Sequence, residues 1–253
     1  REAIRASNGI VLVTGPTGSG KSTTLYSLLE ILNDPSKNII TLEDPVEFTI
    51  AGLTQIQINE RIGLTFGSAL RSILRQDPDI IMVGEIRDTE TAHLAVRVAL
   101  TGHLVLSTLH TNDAPTAINR LVDMGVPRFL LASSLRAVLA QRLVRSLCPH
   151  CRERLFVNAA MEAETGIPEG TAVYGPKGCP ECRFTGYKGR TVIAEVMMID
   201  NTLRAMINDG ASEQELRDYA RRFGMITLRE DARRKVEEGV TSIDEMLFTT
   251  IID

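Results

Sequence analysis

The sequence predicts an α/β fold on a mainly parallel sheet, followed by a compact cysteine-bearing module and a helical C-terminal stretch. Three observations carry this. Short continuous apolar runs alternate with helix-patterned segments through residues 1–147, all four cysteines fall between Cys148 and Cys182, and the chain beyond 200 reads as short capped helices. Continuous rather than alternating apolar runs suit strands buried on both faces, which belong to parallel sheets between helices. The expected divisions are 1–147, 148–189 and 190–253.

The first strand is expected at 9–13 (Gly-Ile-Val-Leu-Val) and the first helix at 22–29. Apolar runs at 39–42, 80–83 and 104–107 predict further buried strands, and the alternation of Gln55-Ile56-Gln57-Ile58 predicts an added edge strand. Helical spacing over 65–76 stops before Asp77-Pro78, because the residue before proline disfavours helix. Asp88 opens a second helix as its cap, running to Leu100 ahead of Gly102. The run 191–199 predicts a strand. Helices follow near 201–209, 212–223, 228–238 and 242–248, with Asn201 and Ser212 as N-caps and Glu215 completing a capping box with Ser212.

Between the first strand and first helix lies Gly15-Pro16-Thr17-Gly18-Ser19-Gly20-Lys21-Ser22, which matches G-x-x-x-x-G-K-[ST]. Glycines let successive backbone N–H groups turn inward and form an anion-sized cup at a helix N-terminus. Lys21 can then reach the β/γ-phosphates of a nucleotide, and the Ser22 hydroxyl can ligate Mg²⁺. Hydrolysis also needs carboxylates at neighbouring strand ends. Glu85, past the strand at 80–83, and Glu43 with Glu47, past the strand at 39–42, are the candidates. One acid would hold Mg²⁺, usually through water, and one would orient or deprotonate the attacking water. His103 and His110 bracket the strand at 104–107. A lone histidine beside apolar sequence is usually structural, and that reading is favoured for His103. His110, with Ser107 and Thr108, is expected on the same edge as the acids, where it could sense a γ-phosphate or be structural.

Cys148-Pro-His-Cys151 and Cys179-Pro-Glu-Cys182 form two C-x₂-C knuckles, the spacing that brings four thiolates to one tetrahedral Zn²⁺. The stretch 152–178 between them is longer than the usual ribbon range. Redox dithiols are the main alternative, and disulfides would need an oxidising compartment. Structural zinc is favoured, with His150 expected on the surface.

The net charge of −4, without Trp, shows no global basic bias toward nucleic acid or anionic lipid. No apolar run approaches the ~18 residues that cross a bilayer, and no signal-peptide pattern opens the chain. The chain opens at Arg1 without an initiator Met, which suggests a piece of a longer protein.

The residues Gly-Pro-Thr-Gly-Ser-Gly-Lys-Ser-Thr-Thr at 15–24, Thr-Leu-Glu-Asp-Pro-Val-Glu at 41–47, Leu-Arg-Gln-Asp-Pro-Asp-Ile-Ile-Met-Val-Gly-Glu-Ile-Arg-Asp at 74–88, and Thr-Gly-His with Ser-Thr-Leu-His-Thr-Asn at 101–112 closely resemble the secretion ATPase superfamily. They match its phosphate loop, its two acidic motifs and its histidine motif, in order. The tetracysteine module with Gly186-Tyr187-Lys188-Gly189-Arg190 is similar to the assembly-side members.

The resemblance implies a RecA-like P-loop NTPase core, an inserted zinc module and a C-terminal helical subdomain. It implies a cytoplasmic, Mg²⁺-dependent ATPase at the inner membrane of a bacterium, hexameric when whole, acting on a membrane platform protein and not on nucleic acid. It implies nucleotide contacts along Gly15–Thr23, catalysis by Glu85 supported by Glu43, with Glu47 a further candidate, and γ-phosphate sensing by His110, with His103 a second candidate. Arg71, Arg75 and Arg87 would lie near the nucleotide or a subunit boundary, or be ordinary helix-surface charge. Family members carry a large N-terminal part absent here, so slow turnover is expected of this chain. A nucleotide-gated adaptor and a nucleic-acid translocase are the competing functions.

Overall fold

The computed structural model of the chain describes residues 3–250. In chain order, strand β1 (Gly9–Thr14) leads into helix α1 (Lys21–Leu32), followed by β2 (Ile39–Glu43), β3 (Thr54–Gln57), α2 (Phe66–Ile73) and β4 (Ile80–Val83). Then come α3 (Thr89–Leu100), β5 (Leu104–Leu109), α4 (Ala114–Asp123), α5 (Arg128–Ser134) and β6 (Leu135–Leu147). The cysteine region contributes β7 (Glu153–Phe156), α6 (Ala159–Thr165) and β8 (Ala172–Gly175) and runs into β9 (Tyr187–Met198). Helices α7 (Asn201–Asp209), α8 (Glu213–Arg222), α9 (Leu228–Glu237) and α10 (Ile243–Thr250) close the described chain.

The chain divides into two compact units. The first comprises residues up to Thr17, Lys21–Ala140 and Val196–Met225. Its sheet has the order β3-β2-β4-β5-β1-β6-β9. β1 pairs parallel with β5 and β6, and β2 parallel with β3 and β4. Every residue of β1, β2, β4 and β5 is buried, as continuous apolar strands require. β3 is half-exposed at the edge, the place its alternating pattern predicts. One face of the sheet packs Leu12, Leu42, Ile81 and Val105 with residues of α2–α5, and the other packs Val11, Val13, Met82 and Leu106 with Leu25 and Leu29 of α1. Each fully buried Leu or Ile here contributes about 1.5–3 kcal/mol.

Several findings differ from the sequence expectation in this unit: α4 and α5 fill a stretch for which no element was expected. β6 has no counterpart among the expected elements: Leu, Ala, Gln and Arg favour helix, and its pairing with β1 overrides that preference. The N-cap of α7 is Asp200, whose extended backbone and side chain accepting from Leu203 N–H at 2.8 Å leave Asn201 as the first helical residue.

The second unit comprises 18–20, Gln141–Glu195 and the residues from Ile226. Its own core gathers Val144, Val157, Val173, Ile193, Leu228, Val236 and Met246. β7 and β8 form a separate antiparallel pair. The C-terminal helices therefore do not make one subdomain over 190–253. Leu203, Ile207 and Leu216 of α7 and α8 join the core of the first unit, while α9 and α10 join that of the second.

Candidate functional site

The phosphate-loop motif falls between the last residue of β1 and the first turn of α1, the strand–loop–helix context its chemistry requires. Gly18 and Gly20 take φ of 79° and 87°, a region open to glycine and strained for other residues. Nothing lies within 4 Å of a Cβ placed on Gly18, whereas one on Gly20 would stand 3.3 Å from Gln141 Nε2, which donates to the Ser19 carbonyl at 2.8 Å. The Ser19 hydroxyl is buried with no hydrogen-bond partner among the described residues. A glycine cradle with an orphaned donor fits a phosphate-bearing ligand. Pro16, Thr17, Ser22 and Thr23 are exposed, and Gly15 is buried at the strand end. Lys21 Nζ donates to Gly15 O at 2.8 Å and Pro16 O at 3.0 Å. Burial pushes the Lys21 ammonium below its ordinary value, and the nearby Glu85 carboxylate partly offsets this.

Glu85 follows β4 directly and is buried at 9 % exposure. Thr108 of β5 clamps the backbone on both sides of it, donating from its hydroxyl to Gly84 O at 2.7 Å and accepting Ile86 N–H at its carbonyl at 3.0 Å. Ser107 likewise donates to Val83 O. Arg87 pairs with one carboxylate oxygen, and His110 Nε2 lies 3.6 Å from the other, longer than a hydrogen bond. Lys21, Glu85, Arg87 and His110 thus gather beyond the carboxyl ends of the parallel strands, where ligands bind in open α/β sheets. Beside them opens a cavity of about 410 Å³, lined by Arg87, His110, Asn112, Asn119, Arg120 and Glu213 among others.

Glu43 stands differently. Its carboxylate accepts from Tyr26 Oη, from Thr41 Oγ1 at 2.5 Å and from Gln55 Nε2 at 3.0 Å, and it is 4 % exposed. Both oxygens are bound within the fold. Burial raises the Tyr26 phenol above its ordinary value, as does its bond to Glu43. Tyr26 also accepts the backbone N–H of Glu47 at 3.0 Å, while Glu47 is itself exposed.

His103 belongs to the opposite end of β5 from His110, seven residues and about 23 Å away at strand rise. Its Nδ1 is within 3.1 Å of Val98 O and 3.3 Å of Thr101 Oγ1, a structural environment remote from the acids. Arg71 pairs with Glu90, and Arg75 is exposed on a short 3-10 turn after α2. Of the three arginines, Arg87 alone contacts a candidate acid.

The sequence reading missed Tyr26, Gln55, Gln141, Thr14 and Thr111. The first three reach their partners across separations of 12 to 122 residues, and no local pattern marks such pairs. Thr14 and Thr111 carried a signal that went unused: each is a polar residue flanking an apolar strand beside a motif.

In the second unit the four cysteine Sγ atoms all lie within 4.8 Å of one another. Sγ separations are 3.9 Å for Cys148–Cys179, 3.7 Å for Cys151–Cys182 and 3.8 Å for Cys179–Cys182. A tetrahedron with Zn–S bonds of 2.3 Å has edges of about 3.8 Å. The donor set therefore fits a closed tetrahedral metal site. Burial raises the Cys182 thiol, but backbone N–H groups of Cys179 and Gly186, with neighbouring thiols, outweigh it and bring it down to about 6. Burial pushes the Cys151 thiol up to about 12. His150 is exposed, as expected.

The chain is 56 % identical over 247 residues to the Type II secretion system protein HxcR of Pseudomonas aeruginosa, covering 98 % of this chain and 50 % of that protein. It is 52 % identical over 260 residues to the Type IV pilus assembly ATPase PilB of Myxococcus xanthus, covering all of this chain and 46 % of that one. The crystal structure of the pilus retraction motor PilT with bound ADP superposes with a TM-score of 0.75 at 30 % identity, covering 98 % of this chain and 63 % of PilT. The chain spans about half the length of the curated relatives it matches. Residues 1–248 match the family described as Type II/IV secretion system protein, and the chain belongs to that family.

Proposed function

We propose that this chain is the ATP-hydrolysing part of a motor that drives pseudopilus assembly in type II protein secretion. The observation that carries this is the gathering of Lys21, Glu85, Arg87 and His110 at the carboxyl edge of the sheet, next to a glycine loop of phosphate-binding form. Extension of a type IV pilus is the second reading, supported by 52 % identity to PilB, little below the 56 % to HxcR.

The loop N–H groups of Gly15–Thr23 would hold the β- and γ-phosphates, and Lys21 would leave the Gly15 and Pro16 carbonyls to meet them. Ser22 and Glu85 would hold Mg²⁺, which neutralises charge on the phosphates when bound. Glu85 would also orient the attacking water and accept its proton. His110, exposed beside Glu85, would donate to the γ-phosphate, and Arg87 would be available to the developing charge. Glu43, with both oxygens engaged, supports the site by fixing the strand ends.

The four cysteines would hold zinc structurally, since no ligand position stays open. We further propose assembly as a hexamer at the cytoplasmic face of a bacterial inner membrane, against a platform protein of the secretion or pilus machinery. No described helix is long and apolar enough to cross a membrane.

Glu85→Gln tests the reading. It preserves size and removes the basic carboxylate, so nucleotide binding should survive while phosphate release falls by about 10²–10⁴-fold. A variant that hydrolyses at the wild-type rate would move catalysis away from Glu85. In cells, loss of secretion in this variant marks a motor, whereas retained secretion marks an adaptor that needs only binding.

A further inference from the structure

β1 and β5 run parallel with Thr14 opposite Leu109, the last residue of each strand. Beyond that rung one chain becomes the phosphate loop and the other presents His110. The backbone ladder stops, but a pair of hydroxyls continues it. Thr14 Oγ1 accepts the Thr111 N–H at 2.9 Å and stands 2.6 Å from Thr111 Oγ1. It donates toward Thr111 O at 3.0 Å or Leu109 O at 3.2 Å, while Thr111 Oγ1 also reaches Asp113 O at 3.1 Å.

Both threonines are buried, Thr14 completely. Valine has nearly the same shape, so space-filling alone does not call for hydroxyls at the end of Val-Leu-Val; a buried hydroxyl is tolerated where it is hydrogen-bonded. Asp113 is fixed in turn, capping α4 through Thr116 N–H at 2.9 Å and pairing with Arg217 at 2.7 Å. The segment 110–113 is therefore held at Thr111 and at Asp113. The His110 side chain projects from it, exposed, beside Glu85.

Resting on the nucleotide-hydrolysis reading above, we propose that Thr14 and Thr111 are positioning residues that tie the His110 segment to the phosphate loop. A shift of the loop entrance on nucleotide binding is then passed to His110 through hydroxyls directly. A loop and a histidine independently anchored would have no such link. Neither threonine touches the reacting atoms; both act through His110.

The test uses the 253-residue chain with Mg²⁺, measuring phosphate release and the binding of ADP and of a slowly hydrolysed ATP analogue. Thr14→Val should bind ADP within about twofold of wild type yet turn over about tenfold more slowly, the effect of losing one well-made buried hydrogen bond at the site. Thr14→Ser, which keeps the hydroxyl, should restore turnover. Combined with His110→Ala, Thr14→Val should add less than about twofold to the loss caused by His110→Ala alone, because both cut one path.

Wild-type turnover in Thr14→Val, multiplying losses in the double variant, or a Thr14→Ser as slow as Thr14→Val would each overturn the proposal. If Thr14→Val fails to fold, Thr111→Val removes the hydroxyl–hydroxyl contact while the Thr111 N–H stays bonded to Thr14 Oγ1; it should slow turnover by about threefold, add little to His110→Ala, and overturn the proposal if it turns over at the wild-type rate. A wild-type chain that binds no nucleotide would overturn the hydrolysis reading and this one with it. That outcome is distinct from an active wild type beside an unaffected variant.

Discussion

Glu43 and Glu85 present one cue in the sequence, a carboxylate at the end of a buried apolar run, but their surroundings set them apart. Glu43 receives Tyr26, Thr41 and Gln55 on its two oxygens, whereas Glu85 faces Arg87, His110 and Lys21. A Gln at 43 would turn an NH₂ group toward at least one of those donors and bury the clash. Glu43→Gln should therefore lower folding stability by about 1–3 kcal/mol in urea unfolding, more than Glu85→Gln, whose partner Arg87 is largely exposed and so adds little. Equal stability of the two variants would show that the Glu43 donors rearrange at little cost. The phosphate loop itself was legible, since its chemistry is written in eight contiguous residues. Which acid is locked was not legible, because Tyr26 lies 17 residues from Glu43 on the helix that follows that loop.

At the scale of elements, helix starts were the most legible feature. Asp88, Ser212 and the Ser212–Glu215 box act as expected because capping is local chemistry. The link between α4 and α8 has no such signal. There Glu213 accepts from Asn119 Nδ2 at 2.9 Å, and Arg217 pairs with Asp113. Burial pushes the Asp113 carboxyl up, but hydrogen bonds from Thr116 and Arg217 outweigh it and hold it below the ordinary carboxylate range. A carboxylate whose folded value is depressed stabilises the fold above its unfolded value of about 3.9, and that stability is lost as pH falls through the folded value. Arg217→Ala should cost about 1–3 kcal/mol near neutral pH, the range for a hydrogen bond to a charged group with both side chains mostly shielded. The difference from wild type should hold from pH 7 to about 4.5 and shrink below that, read from urea midpoints across pH. A difference that persists unchanged at acid pH would assign the loss to Arg217 packing rather than to the ion pair.

On the scale of the whole chain, the contiguous division at 148 and 190 follows composition, while the observed units are interleaved in sequence. Composition marked the cysteine region, whose four thiols are near in sequence, but could not reveal that α7 and α8 join one core and α9 and α10 another. That choice is made by which apolar faces meet. Among the described residues, the second unit draws nine buried apolar residues into its core, Val144 to Met246. The four cysteines are not among these, and their knuckles are tied by backbone bonds, Cys148 N–H to Gly186 O and the local bonds of the 179–182 turn. The zinc proposed for them would then supply part of their order, since such binding is coupled to folding. Cys179→Ser should lower bound zinc from one ion per chain toward none in elemental analysis. Amide exchange should rise sharply around 148–151 and 179–186, while β1, β4 and β5, buried throughout in the other unit, keep their protection. Unchanged zinc content would remove Cys179 from the ligand set, and loss of protection in β1 and β5 as well would mean that the metal stabilises the entire chain rather than its own module.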